Sequence, residues 1–476
     1  MPPEVVSPLL AHAFGERYES PVPLALFVLS GAAVVLLSFG LVARREVAGA
    51  GGGVVAEQVA VPRGSRIGAP ISLLVLAVGV FAGLAGNQVV SENIVPTAFW
   101  VYLWVGLPLV VGVVGDFTGP LNPFAAIARA AGAARARKAV LGTERPMDWP
   151  AGLGYWPAVL FYFLLVEGEL VFNAQAILPR VIAVGLVVYA LVCLAGGLVF
   201  GGDAWCGRAE VFSVLFSTWG KLGFFRFGAP GRRGFAGGLD RSFDPSPSRV
   251  TFALLLLVSV TFDGVLSTPQ WTRFSTGLPG SPAPGTGEHD LLATSTLLLL
   301  TVAMFLGFGA FAYASGRAGE HGDRLRQALT GLLPSLLPIS YGYLLAHYSQ
   351  YLLINGQLLI PQLGNPLGGA NSFLPYPFND DYVVNTGVLP TSVLWYVQIV
   401  VIVLAHVVAV LLAHRYLAQR AADHRLALRS EWPWLAAMVA YTMISLWLLA
   451  QPLVQEPAQP AALGRPAASA GAGNGA

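Results

Sequence analysis

The chain has 476 residues, of which 55% are hydrophobic and only 11% are charged. Soluble globular proteins carry about 25% charged residues, so this composition excludes an ordinary water-exposed surface and indicates a lipid environment. The formal net charge of +2 gives no reason to expect a nucleic-acid partner. The two cysteines, Cys193 and Cys206, do not form a CxxC pair, so neither a disulfide framework nor a cysteine metal site is indicated.

Long apolar runs predict an all-α, polytopic transmembrane bundle of about ten helices. A helix needs about 20 mostly apolar residues to cross the hydrocarbon core of a bilayer. In chain order, the predicted helices lie near residues 22–42, 70–88, 97–115, 151–167, 180–200, 250–268, 291–314, 332–360, 391–413 and 434–453. The transmembrane domain is therefore predicted at 22–453, after an exported segment 1–21 and before a disordered exported tail 454–476.

The positions of Lys and Arg predict the orientation of these helices. Twenty-three of the 27 Lys and Arg residues follow an odd-numbered predicted helix. Basic residues collect in the cytoplasmic loops of membrane proteins. We therefore expect a multi-pass protein of the cell (inner) membrane with both termini on the non-cytoplasmic side.

Two sequence matches, each four helices apart, predict a parallel tandem repeat. Residues 164–171 resemble 352–359, and residues 81–84 resemble 262–265. The two copies would be predicted helices 2–5 and 6–9, with the first and last helices added outside.

Ionisable side chains inside predicted helices are the candidate site residues, because such groups are costly in lipid. His347 lies in the eighth predicted helix, where Gln350 and Tyr351 follow it at helical spacing on the same face. His406 lies in the ninth and Asp263 near the end of the sixth. The alternative is that these groups only hydrogen-bond neighbouring helices and stabilise the bundle. His414, beside Arg415, is expected to face lipid headgroups.

Imidazole and carboxylate side chains suit either a divalent transition metal such as Zn or a proton relay. For a metal, the candidate ligands are His12, His347 and His406. Asp263 would be a further ligand or a base, and Gln350 and Tyr351 would orient substrate or ligands. HExxH, GxSxG, GxxxxGK[ST] and CxxCH are absent, so the sequence identifies no metal and no nucleophile.

Several segments together resemble a bacterial family of multipass membrane proteins. They are residues 11–15, 121–124, 261–264, 347–361 and 441–452. Some members of that family carry the label fenitrothion hydrolase, meaning cleavage of an organophosphorus triester. The resemblance implies a membrane-embedded, metal-assisted hydrolase of apolar phosphotriesters or similar esters, but it transfers no catalytic residue to this chain.

Three functions therefore stand as hypotheses. The hydrolase is the first, since an apolar small-molecule substrate partitions into the lipid bilayer. A small-solute or ion transporter is the second, because parallel helix copies with polar groups at mid-membrane are typical of permeases. A structural subunit of a membrane complex is the third, and the sequence identifies no protein partner for it.

Overall fold

A computed structural model describes residues 24–42, 66–228, 234–322, 325–369 and 371–450, which fold mainly into helices. Eight helices within these ranges are long and apolar enough to cross a membrane. Only helices that satisfy their own backbone hydrogen bonds, or closed barrels, can span lipid. The chain is therefore a multi-pass helical membrane protein. The predicted segments 1–21 and 454–476, with His12, lie outside the described residues.

Within the described residues, ten apolar helices form the bundle, and they follow the predicted order along the chain. They are α1 (Leu24–Val42), α2 (Gly68–Ala85), α3 (Ile94–Val114), α4 (Trp156–Leu170), α5 (Pro179–Phe200), α6 (Pro247–Leu266), α7 (Gly287–Ala318), α8 (Leu325–Asn355), α9 (Thr391–Arg420) and α10 (His424–Leu449). α1 and α4 are not among the eight candidate spans, and α4 has only 15 residues.

Local chemistry moves some helix ends away from their predicted positions. α10 begins at His424 rather than near residue 434, because the Asp423 side chain accepts the N–H of Leu426 and caps the helix. The middle of α3, Thr97–Gly106, is π-helical. α8 continues through Pro334 and Pro338, and then tightens into a 3₁₀ turn at Gly356–Leu358.

Short helices lie between the apolar ones. They are Pro123–Ala131, Ala134–Leu141, Asn173–Ala176, Gly202–Arg208, Val211–Trp219, Pro269–Thr276 and Leu359–Gly364, with 3₁₀ turns at Gly119–Leu121 and Gly237–Leu239.

The bundle has two chemically different ends. At one end, backbone hydrogen bonds join residues 87 and 94 to the connection 365–390. At the other end, backbone hydrogen bonds join arginine-bearing connections to the ends of helices. Phe224 is joined to Val113 of α3, and Met147 is joined to Val199 of α5. We call these the loop end and the arginine-rich end.

α6 and α8 form the centre of the bundle. In the 18-residue apolar stretch of each span, 83% of the residues are buried in α6, compared with 17% in α7. In the span Leu325–Gly364, which contains α8, 89% are buried. A Cβ on Gly342 of α8 would lie 2.4 Å from the Cβ of Ala405 on α9, so the glycine permits a close approach of these helices. Polar groups on α6 and α8 are therefore shielded from lipid by the surrounding helices.

The packing does not show the predicted tandem repeat. α2 packs along α5, whereas α6, its counterpart in the predicted second copy, packs along α7, α8 and α4. The dominant contact of the second set is between α8 and α9.

Candidate functional site

Two predicted site residues, Asp263 and His347, are in direct contact. The Nε2 atom of His347 lies 2.7 Å from Oδ2 of Asp263. Both side chains are buried, with exposed fractions of 8% for His347 and 3% for Asp263. Asp263 lies three residues before the end of α6, and His347 lies in the last third of α8. The pair therefore lies toward the loop end of the bundle.

The Tyr348 hydroxyl extends this pair to a second carboxyl group. It lies 2.8 Å from Oδ2 of Asp263 and 2.9 Å from Oε1 of Glu169, near the end of α4. A phenol has one O–H proton, so it can donate to only one of two carboxyl oxygens. If both short contacts are hydrogen bonds, the other carboxyl group must carry a proton and donate it to the phenol oxygen.

Glu169 is held from a third side by α3. The indole N–H of Trp104 donates to Oε2 of Glu169 at 2.7 Å. The hydrogen-bonded chain therefore runs from Trp104 through Glu169, Tyr348 and Asp263 to His347. It joins α3, α4, α6 and α8, and it contains two carboxyl groups, one phenol and one imidazole.

A small recess opens beside Glu169. Its six lining residues are Pro96, Trp100, Glu169, Asn173, Ile177 and Tyr351. Its water-accessible volume is about 30 Å³, which is room for one or two water molecules. Glu169 thus lies between this recess and the buried Asp263–His347 pair.

His406 lies apart from that pair. Gln398 of α9 donates to the backbone oxygen of Ala346 at 2.8 Å, which places Gln398 at the level of His347. His406 follows Gln398 by two helical turns, roughly 12 Å along α9. Its ring donates from Nδ1 to the Ile402 oxygen at 2.8 Å, and its Nε2 has no hydrogen-bond partner within the described ranges.

The structure brings together only some of the remaining predicted site residues. Tyr351 lines the recess, and its ring centroid lies 6.2 Å from that of Tyr348. Gln350 is half-buried, and no hydrogen bond to another described side chain joins it to the pair. His414 was expected at the headgroups, but this prediction is wrong. Its ring is buried and its Nδ1 lies 2.9 Å from Oε1 of Glu431 on α10.

The described residues do not fit the predicted metal. A zinc site needs at least three protein ligands around one point. Among the residues that the structure describes, no group of three His, Cys, Asp or Glu side chains can hold one ion. Asp263 and His347 contact each other, His406 lies elsewhere, and His12 is outside the described ranges. No step proposed below therefore passes through a metal.

Sequence reasoning did not place Glu169, Tyr348 and Trp104 in the site. Tyr348 follows His347 directly, so helical spacing places it about 100° away from the predicted polar face. Glu169 gave the one usable signal, a carboxylate at the end of an apolar span.

The fold and the site define a multi-pass membrane protein with a partly buried carboxyl–phenol–carboxyl–imidazole chain at its loop end. No protein-family model, no curated protein and no solved structure matches the chain.

Proposed function

We propose that this protein is a proton-coupled transporter of small solutes, in which Glu169, Tyr348, Asp263 and His347 hold and pass one proton. The observation that carries the proposal is the Tyr348 hydroxyl within hydrogen-bonding distance of two carboxyl groups. Such an arrangement stores a proton away from lipid and offers it two positions. Intramembrane carboxylates and histidines of this kind are the usual elements of proton relays in pumps and transporters.

The proton can move along the hydrogen-bonded chain of side chains without forming a charged tyrosine. In one state, the Glu169 carboxyl donates to the Tyr348 oxygen while the Tyr348 O–H donates to Asp263. When both protons shift together, Glu169 becomes a carboxylate and Asp263 becomes protonated, and Tyr348 keeps one proton throughout. His347, 2.7 Å from the same Asp263 oxygen, is then the next acceptor.

The proposed orientation places the recess on the outside of the cell membrane. In this arrangement all ten helices, α1 to α10, cross the bilayer and both termini are non-cytoplasmic. The support is that the arginine-bearing connections lie together at one end, which the positive-inside rule assigns to the cytoplasm. Glu169 would then exchange its proton with the outer solution through the recess.

Proton uptake into proteoliposomes tests the proposal. The rate is followed with an internal pH-sensitive dye under an imposed inside-negative potential. Replacing a positioned proton carrier costs about 10² to 10⁴ in rate, so Asp263→Asn should lower uptake at least about 100-fold. The matched control is Glu431→Gln, which alters the other buried His–carboxyl pair and should retain uptake. Equal uptake by Asp263→Asn and the unchanged protein would refute the proton chain.

The ester hydrolase remains a second candidate, favoured by one observation. A buried carboxylate and imidazole, 2.7 Å apart and connected through Tyr348 to Glu169 at a water-sized recess, are a general-base arrangement. Purified protein in detergent would then cleave fenitrothion. Asp263→Asn and His347→Ala would abolish that cleavage, and neither would change proton uptake. This pattern is the opposite of the one expected for the transporter.

A further inference from the structure

We propose that the recess beside Glu169 is a binding site for a small monovalent cation of the ammonium or methylammonium class. This inference rests on the proposed function, because it names the solute whose binding moves the proton of Glu169 toward Asp263. The recess combines one carboxylate with aromatic walls and has no basic residue among its six lining residues. That combination is the chemistry that recognises an alkylammonium ion.

The aromatic walls are held in position. The Trp100 indole N–H donates to the backbone oxygen of Ala176 at 3.0 Å, so the ring cannot turn away without losing this bond. Tyr351 of α8 also lines the recess, and its ring is next to that of Tyr348. The face of an aromatic ring attracts a cation, most strongly for Trp. Asn173 adds a polar side chain and Ile177 an apolar wall.

The size of the recess selects among cations. The recess has room for one or two water molecules, so only a small ligand fits. An ammonium ion has about the size of a water molecule, while a phosphotriester is far larger. Na⁺ and K⁺ need several oxygen ligands to replace their water, and both carboxyl oxygens of Glu169 already accept hydrogen bonds from Trp104 and Tyr348.

The positive charge of the bound cation couples its binding to the position of the shared proton. The groups facing the site from the packed helices are Trp104 on α3, Glu169 on α4, Asp263 on α6, and His347 and Tyr348 on α8. Glu167, two residues earlier on α4, instead accepts a hydrogen bond from the Thr294 hydroxyl of α7, and Arg180 is the second residue of α5. A bound cation stabilises the Glu169 carboxylate and so moves the shared proton through Tyr348 to Asp263.

Equilibrium binding of radiolabelled methylammonium to the purified full-length protein in detergent tests this site. Glu169→Gln should abolish binding, whereas Glu169→Asp, which keeps the charge, should bind more weakly. Trp100→Leu should weaken binding about 2- to 30-fold, the size expected for loss of one cation–π contact. Tyr351→Leu should weaken it more than Tyr351→Phe. The matched control, Glu167→Gln, removes a neighbouring carboxylate outside the recess and should bind normally.

Competition defines the ligand class. Ammonium chloride should displace methylammonium, and sodium or potassium chloride at equal concentration should not. Unchanged binding in Glu169→Gln, or equal displacement by Na⁺, would overturn the inference. Proton uptake that depends on Asp263 without any methylammonium binding would refute the cation site alone. Methylammonium binding with proton uptake indifferent to Asp263→Asn would refute the transporter mechanism and leave the site.

Discussion

The described part of the protein contains two buried His–carboxyl pairs, one toward each end of the bundle. His347 and Asp263 are separated by 2.7 Å, and His414 and Glu431 by 2.9 Å. All four side chains are less than 10% exposed. The two pairs differ in their surroundings. Asp263 also contacts Tyr348, which leads to Glu169 and the recess.

The pair at the arginine-rich end has no such connection. It lies among apolar side chains, which include Phe39, Val410 and Trp434. Within the described residues, Nε2 of His414 and Oε2 of Glu431 have no hydrogen-bond partner. A proton on this pair therefore has no relay to follow. An imidazole and a carboxyl group thus join α9 to α10 at the arginine-rich end. At the loop end, we propose, the same pair of chemical groups belongs to a proton path.

The largest effect on stability is expected at His414 and Glu431. Removing one member of a buried pair strands the other and costs about 3–5 kcal/mol. Glu431→Leu alone should therefore lower the free energy of unfolding in mixed micelles by that amount. The double variant His414→Leu/Glu431→Leu should recover most of it, because apolar pairs of similar size often replace a buried ion pair without loss.

The corresponding double variant at the loop end separates the two roles. His347→Leu/Asp263→Leu should fold, yet its proton uptake should fall to the rate of empty liposomes. Normal proton uptake in this variant, or lost uptake in His414→Leu/Glu431→Leu, would reverse the roles assigned to the two pairs.

A smaller effect is expected from cutting the loop-end chain at its middle. Tyr348→Phe removes the hydroxyl between Glu169 and Asp263 and keeps the ring. Proton uptake should fall about 10- to 100-fold, which is less than the loss of about 100-fold or more expected for Asp263→Asn. Methylammonium binding at Glu169 should persist. The rate is measured in proteoliposomes and the binding in detergent.

Tyr343→Phe is the matched control for this variant. Tyr343 precedes His347 by four residues on α8, and its buried hydroxyl has no hydrogen-bond partner in the described part of the chain. Its uptake should equal that of the unchanged protein. A similar loss in both variants would indicate a general disturbance of α8 and not a broken relay.

The sequence is sufficient to predict the order of the helices and two residues of the candidate site, Asp263 and His347. Apolar runs locate the helices because lipid requires long apolar segments, and arginines separate the two ends. The cost of burying an ionisable group directed attention to Asp263 and His347, and the structure brings these two together.

The rest depended on contacts between distant helices. Glu169 and Tyr348 are 179 positions apart in the chain, and no periodicity within α4 or α8 reports their contact. His406 is an intramembrane histidine like His347, but it lies two helical turns further along α9 than the level at which α9 meets His347, and the sequence does not show at which level α9 packs against α8. His414 was misplaced for a different reason. Its neighbour Arg415 indicated the headgroups, while its actual partner Glu431 lies on the next helix.

The smallest effect is expected at Gln357, which fastens the 365–390 connection to the end of α8. Its amide donates to the Asn385 oxygen at 2.9 Å, and its Oε1 accepts from the Asn385 N–H at 2.9 Å and from the Tyr382 hydroxyl at 3.2 Å. Each such bond contributes about 0.5–1.5 kcal/mol. Two of these three bonds are exposed to water, so Gln357→Ala should lower the unfolding free energy by only about 1–2 kcal/mol, near the low end of their sum, and speed hydrogen exchange of the Asn385 amide.

Asn379→Ala is the control for Gln357, because it removes only a contact inside the connection, from Asn379 to Asp381. It should leave the exchange of Asn385 unchanged. Neither variant should alter methylammonium binding, since Gln357 and Asn379 do not line the recess. Faster methylammonium exchange in Gln357→Ala would mean that the 365–390 connection controls access to Glu169. The loop end would then control access to its proton chain, whereas the His414–Glu431 pair at the arginine-rich end has no proton chain among the described residues.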